Sequence, residues 1–244
     1  MKHQEFYSVI TEQLKRQFEE ENDSINIAAE CCSESICKDR VIHVFGCGHS
    51  QIFAMEVFYR AGGLVPVNAL TIPHLALFPK AKLSTLQERV EGFSNEYLKL
   101  ENTSKDDTMI VVSVSGRNAG VVDMAMEAKR IGMKVVALTS LNFSNGVTSR
   151  HSSGKMLKDV ADIVIDIKCI EGDASLAING LGPKFCGTST VLGTAVMEAI
   201  VARTVELCVE KGVKPPIYVS SNLDKGDKIN DELIEKYSPI ITCL

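Results

Sequence analysis

The chain has 244 residues, of which 45% are hydrophobic and 23% charged, with a formal net charge of −5. That length suits one large α/β domain whose core needs no covalent staples. An acidic balance without a long basic run argues against a nucleic-acid or anionic-membrane binder, but an anionic ligand can still be held by backbone N–H groups and hydroxyls.

In chain order, residues 3–21 carry Phe6, Val9, Ile10, Leu14 and Phe18 on one stripe and predict an amphipathic helix. Met1–Glu21 is charged throughout and lacks the apolar core of a signal peptide. No window approaches the ~18 uninterrupted apolar residues of a membrane span, so the expected location is cytoplasmic. Asn22–Ser24 offers a cap for a second helix to about Lys38. Cys31, Cys32 and Cys37 form no C-x-x-C and read as buried small hydrophobes in a reduced chain.

Val41–Phe45 reads as a buried strand, broken by Gly46-Cys47-Gly48-His49-Ser50 and followed by a helix from Gln51 to Ala61 that Gly62-Gly63 stops. Leu64–Leu70 reads as a strand and the Pro-containing stretch 71–83 as a loop. Ser84-Thr85-Leu86-Gln87 matches a capping box, which predicts a helix over 85–100 despite Gly92. Met109–Val114 is a β-branched strand ending in Ser115-Gly116-Arg117-Asn118, with a helix Gly120–Ile131 behind it. Val135–Thr139 and Ala161–Ile167 are further strands, and Leu141–Gly154 reads as a surface loop. Thr188-Ser189-Thr190 caps a long helix to about Lys211, and Ile217–Ser220 reads as a short edge strand. Continuous apolar strands alternating with helices signal a parallel sheet covered on both faces. No repeat or linker divides the chain. Residues 1–244 read as one domain: a helical extension over 1–38, a core over 39–215, and a tail or lid over 216–244.

Two loops carry the chemistry. Each follows a buried strand and opens a helix, the position at which parallel sheets bind ligands. Small hydroxyl-bearing residues there let the backbone approach an anion. A dinucleotide fingerprint would need glycine at position 51, which is Gln51, and an acidic residue near Leu70, which is missing. A Walker loop is absent as well. A phosphate smaller than a dinucleotide fits better, and no cofactor is expected.

The segments Phe45-Gly46-Cys47-Gly48-His49-Ser50 and Val112-Ser113-Val114-Ser115-Gly116-Arg117-Asn118, with Ala137-Leu138-Thr139-Ser140, resemble the sugar isomerase (SIS) domain family over roughly residues 35–215. Ser149–Lys155 and Ser220–Asp227 resemble, more narrowly, the bacterial UPF0309 group, which brings no reaction with it. The resemblance implies a three-layer αβα sandwich with a mainly parallel, doubly wound, flavodoxin-like sheet, preceded here by the N-terminal helices. It implies a sugar phosphate held by Gly48, His49, Ser50, Ser113, Ser115, Gly116 and Asn118, the last standing where the family has threonine. Arg117 could pair with phosphate or point to solvent.

Isomerisation needs a base, often Glu, and a group that helps open the ring, often His. Glu56, His74 and Glu88 are the candidates, with Glu171, Asp173, His151 and Lys155 as further polar groups near the ligand end; His43, in mid-strand, reads as a satisfied core residue. Zinc-type phosphoheptose isomerases place His and Glu four apart on the first helix. The corresponding positions here are Glu56 and Arg60, and no metal is expected. Family behaviour and the surplus apolar stripe on the N-terminal and 190–211 helices imply a homodimer or homotetramer with sites near the subunit interface. An isomerase and a non-catalytic sugar-phosphate sensor both fit, although the stretch before the first strand is too short and acidic for a typical DNA-binding helix-turn-helix.

Overall fold

The structure, a computed structural model, describes residues 1–222, 224 and 226–244. Leu223 and Lys225, within the C-terminal motif quoted above, lie outside the described residues. Five parallel strands form one sheet: β1 (Ile42–Gly46), β2 (Val67–Leu70), β3 (Thr108–Val112), β4 (Lys134–Thr139) and β5 (Ile163–Asp166), in the order β2-β1-β3-β4-β5. This is the flavodoxin-like order, in which the chain reverses direction across the sheet between β1 and β3 and leaves a crevice at their carboxyl ends.

The period-2 alternation of the strands sorts the core into two layers. Ile42, Val44, Ile110, Val112, Val136 and Leu138 face one side. They pack against α2 (Asn22–Cys37), α3 (Gln51–Val57) and α9 (Ser189–Glu210) through Ala29, Cys32, Phe53, Val196 and Ile200. Phe45, Met109, Val111, Val135 and Ala137 face the other side, against Val121, Val122, Met124 and Ala125 of α6 (Ala119–Ile131). Both faces being covered, the strands are mainly apolar, with a few buried polar residues such as His43 and Asn68, and carry no polar-out alternation.

The ends of the strands away from the crevice carry a satisfied polar network around Asp107. Asp107, just before β3, accepts from Arg40 Nε at 2.8 Å and Nη2 at 3.0 Å, from Val41 N at 3.2 Å and from Ser104 N at 2.6 Å. His43 Nε2 lies 3.2 Å from the same carboxylate, and Asn68 Nδ2 lies 3.1 Å from His43 Nδ1. Burial pushes the Asp107 carboxyl up, but the bonds from His43 and Arg40 outweigh it and hold it below its ordinary value. His43 is therefore a satisfied core residue.

Several expectations need correction. The helix expected over 85–100 is two helices, α4 (Ala81–Gln87) and α5 (Phe93–Lys99), parted by Gly92 in the left-handed region at φ 80°. Ser84 caps nothing: α4 has already begun at Ala81, and the Ser84 hydroxyl donates to Leu75 O at 2.8 Å. The helix after the first loop ends at Val57, short of Ala61. The stretch 141–154 opens with a short helix, α7 (Leu141–Asn145), capped by Ser140. Ile217 makes only one antiparallel bridge, to Leu64, so there is no sixth strand among the described residues. The C-terminal stretch contains α10 (Gly226–Tyr237), which packs Tyr237 beside Val41, Val65, Tyr218 and Ile241.

At the N-terminus, α1 (Lys2–Glu20) is tied down mainly at its end, where the following Glu21 meets Lys168 Nζ at 2.6 Å. Of its apolar stripe only Leu14 packs against the core, while Phe18 stays 42% exposed. No helix among the described residues is long and apolar enough to cross a membrane.

Candidate functional site at the open end of β1 and β3

The first loop turns sharply because Gly46 ends β1 with Ser50 folded back over it. A Cβ at Gly46 would lie 2.5 Å from the Ser50 carbonyl oxygen. Gly48 sits at φ 58° and starts a 3-10 turn, Gly48–Ser50, that runs into α3. The second loop turns at Gly116, φ 62°, where a Cβ would meet Thr139 Oγ1 at 3.2 Å and Leu157 Cβ at 3.3 Å. Its shape is clamped from outside: Leu157 N donates to Gly116 O and Arg150 N to Arg117 O, both at 2.8 Å. Gly116 N in turn donates to Ser113 Oγ at 3.1 Å.

Both loops line one cavity of about 570 Å³, which gathers Gly48, His49, Ser50, Ser113, Ser115 and Asn118 with Glu88. The hydroxyls of Ser50 and Ser115, and the backbone N–H groups of Ser115 and Asn118, have no partner among the described residues. Asn118 ends the loop at the N-cap of α6, a 13-residue helix, so the loop's donors sit at that helix's positive end. The opposite wall comes from the start of α9, through Gly187, Ser189 and Thr190. Asp173 holds that wall in place, accepting from Thr188 N at 2.8 Å, Ser189 N at 3.0 Å and Ser189 Oγ at 2.5 Å. Leu77, Ser84 and Thr85 close the side nearest α4.

Two candidate carboxylates line this cavity, Glu88 and Asp173, and Asp173 is taken up by its bonds to Thr188 and Ser189. Glu88 caps the C-terminus of α4, and its carbonyl accepts from Gly120 N at 2.9 Å, which seats it beside the start of α6. Burial pushes its carboxyl above the ordinary value of 4.5, against a hydrogen bond from Asn118 and the positive charges of Arg89 and Arg150. A carboxylate moved toward neutrality in this way is suited to general acid–base work. Cys47, beneath the first loop, has its thiol pushed up by burial and is inert.

Apart from Asp173, which lines the cavity with its carboxylate tied to the start of α9, the other candidates stand outside it. Glu56 on α3 pairs with Arg60 just beyond that helix, Arg60 Nη1 also lies 3.1 Å from Glu198, and neither lines the cavity. A zinc ligand pair at these positions does not fit, and among the described residues no group of three or more His, Cys, Asp or Glu side chains is placed to hold a metal. His74 is exposed on a 3-10 turn, edge-on to Phe93 with ring centroids 5.8 Å apart, outside the cavity of its own chain. Arg117 donates from Nε to Thr148 O at 2.8 Å, which bends it along the 148–157 segment. His151 bonds Asp123 at 3.0 Å and Ser153 at 2.7 Å. Asp123 also accepts from Gly92 N at 2.7 Å, so this histidine pins the turn after Glu88.

Comparison with known proteins agrees with this architecture. Residues 5–140 match the SIS domain, and a UPF0309 protein of Geobacillus thermodenitrificans is 39% identical over 240 residues, covering 98% of this chain and 96% of its own. The chain belongs to the SIS domain family, within the UPF0309 group. A UPF0309 protein of Listeria innocua is likewise 39% identical over 231 residues, 95% of this chain and 94% of that protein. Among solved structures, a phosphoheptose isomerase from Francisella tularensis shares the fold with a TM-score of 0.56 at 16% identity, covering 84% of this chain and 97% of that one. The Neisseria gonorrhoeae phosphoheptose isomerase gives a TM-score of 0.54 at the same identity and coverage. In this SIS chain the sequence reading passed over Ser189 and Thr190 as a mere helix cap. The signal was present: Gly187-Thr188-Ser189-Thr190 combines glycine and hydroxyls at the mouth of the longest helix, as the two loops do.

Proposed function

We propose that the cavity binds a sugar phosphate and that the chain isomerises it by proton transfer beside a carbonyl. The phosphate sits against Gly48–Ser50 and Ser113–Asn118, where unpaired hydroxyls and backbone N–H groups converge at the β1/β3 crevice; that convergence carries the reading. Glu88 is the base. It removes the proton from the carbon next to the carbonyl, the electron pair passes into an enediolate, and the same proton or one from solvent returns to the neighbouring carbon. His49, exposed at the lip of the cavity, is placed to help open the ring. The family match, the UPF0309 relatives and the shared fold with phosphoheptose isomerases support phosphosugar binding.

The assembly we propose is a homodimer or homotetramer. The uncovered stripe of α1 supports a second copy covering that helix. In such an assembly His74 of one subunit can complete the site of the other, while the 141–155 segment serves the site of its own chain through Phe143 and Arg150.

The test is a panel of hexose, amino-sugar and heptose phosphates, read by calorimetry for binding and by NMR for turnover. Glu88→Gln is expected to lower turnover by ~10²–10⁴-fold with binding kept within a few-fold. Glu56→Gln, altering a surface ion pair outside the cavity, should leave both nearly unchanged. Binding without turnover of any member would make the chain a sensor, and no binding at all would end the phosphosugar reading.

A further inference from the structure

The chain has eight arginines and a net charge of −5, so each could find an acidic partner. Arg16, Arg40, Arg60, Arg130 and Arg203 do, each with a carboxylate oxygen within 4.0 Å. Arg89, Arg117 and Arg150 have none among the described residues, although they come from three separate segments.

These three meet at one place. Arg150 Nη1 donates to Asn118 Oδ1 at 3.0 Å, and Arg150 N donates to Arg117 O at 2.8 Å. Arg89 follows Glu88, which lines the cavity as Asn118 does. The Arg117 Nε is occupied by Thr148 O, which leaves its two terminal nitrogens free. The cluster repels itself: desolvation and the like charges of Arg117 and Arg89 press the Arg150 guanidinium below its usual value, and only Glu88 opposes them. Three cations and one carboxylate leave an excess of positive charge beside Glu88 and Asn118. A phosphate in the serine loops is served by hydroxyls and N–H groups without a guanidinium, which leaves the charge of this cluster available to a second anion.

We propose that the ligand is a sugar phosphate bearing a second anionic group, carboxylate or phosphoryl, which Arg89, Arg117 and Arg150 hold at the rim beside Asn118. The inference rests on the phosphosugar reading above and adds the substrate class. Guanidinium forks suit either anion, since both offer paired oxygens for parallel N–H bonds.

Matched probes separate the possibilities: fructose 6-phosphate against fructose 1,6-bisphosphate, and glucose 6-phosphate against 6-phosphogluconate, each titrated calorimetrically at one ionic strength. In at least one pair the wild-type chain should bind the doubly anionic member roughly tenfold or more tightly. The pair with the larger ratio tells phosphoryl from carboxylate. Arg89→Gln/Arg150→Gln should abolish the preference while still binding the singly anionic member. Arg89→Lys/Arg150→Lys, which keeps the charge, should retain part of it. Ser113→Ala/Ser115→Ala should weaken all four probes. Equal wild-type affinity within both pairs, or an undiminished preference in the double glutamine variant, would overturn the second subsite and leave the phosphosugar reading standing. Failure of every probe to bind sinks both.

Discussion

Gly46→Ala tests whether the first loop holds the ligand by its shape, because Gly46 offers the ligand no side chain. Its added Cβ would lie 2.5 Å from the Ser50 carbonyl oxygen and 2.7 Å from Ser50 C and Cβ, which are backbone or stem atoms that cannot swing away. The 3-10 turn Gly48–Ser50 must therefore lift. Overpacking of this kind costs about 1–3 kcal/mol, or roughly 2–12 °C in Tm for a chain of this length. Displacing the loop forfeits one or two charge-assisted hydrogen bonds to phosphate at about 1.5–3 kcal/mol each, so affinity should fall at least tenfold. Gly62→Ala is the matched control. Its φ of 81° makes alanine cost about 1–2 kcal/mol, yet nothing lies within 4 Å of the new methyl and the residue is outside the cavity. Melting curves and calorimetry with the tightest-binding sugar phosphate of the panel read both variants. Unchanged affinity in Gly46→Ala despite a lowered Tm, or an equal loss of affinity in Gly62→Ala, would refute the argument.

Arg150→Gln removes a positive charge that steadies the ionised form of Glu88, so the Glu88 carboxyl should rise further; since the base must be ionised, the acid limb of the kcat/KM profile should move to higher pH. A limb that stays put or moves down means that Glu88 is not the group being titrated. Asp107→Asn should cost about 3–5 kcal/mol near neutrality by unbalancing a buried charge network. Because the folded Asp107 carboxyl lies below its ordinary 3.8, its stabilisation is present above that value and fades as pH falls beneath it, so denaturant melts of wild type and variant should converge in acid. Light scattering should give a mass two or four times 26.6 kDa, and Val9→Asp/Phe18→Asp should reduce it toward the single chain; a wild-type monomer rules out the proposed assembly.

What could be read without the structure followed the strength of the local signal. The strands β1, β3 and β4 announce themselves as near-continuous apolar runs because both faces of the sheet are covered. The two loops announce themselves as glycine and serine where such runs stop. Strand order is not written in any local pattern, since it depends on which crossover packs beside which, and so the crevice between β1 and β3 could be only an expectation. Gly92 was legible as a weak point but not as a break; φ 80° there is a tertiary outcome, fixed by Asp123 accepting the Gly92 N–H from across the fold. That break is what leaves Glu88 at a helix end, beside Asn118, and not in the middle of a helix. Glu56, Glu88 and His74 looked alike as sequence. Glu56 was separated from Glu88 by an arginine one turn on, His74 by the exposed turn that carries it.

The two ends of the central strands make the functional argument sharper than either does alone. Around Asp107 five donors converge on one carboxylate, and nothing polar in that group is left over. At the other end hydroxyls and N–H groups go unpaired, a carboxyl is desolvated, and three guanidinium groups lack a carboxylate partner among the described residues. A chain folding for stability alone has no need to gather free donors at one end of its sheet, and that concentration is what the proposed ligand would use. Its binding has a measurable size. A ligand at about one hundred times its Kd stabilises the folded state by ~2.7 kcal/mol, or about 5–11 °C in Tm at this chain length. The shift should appear with the best sugar phosphate, shrink in Ser113→Ala/Ser115→Ala, and survive intact in Asp107→Asn from its lower starting point. A ligand shift that follows Asp107 and ignores the serines would place binding at the wrong end of the sheet.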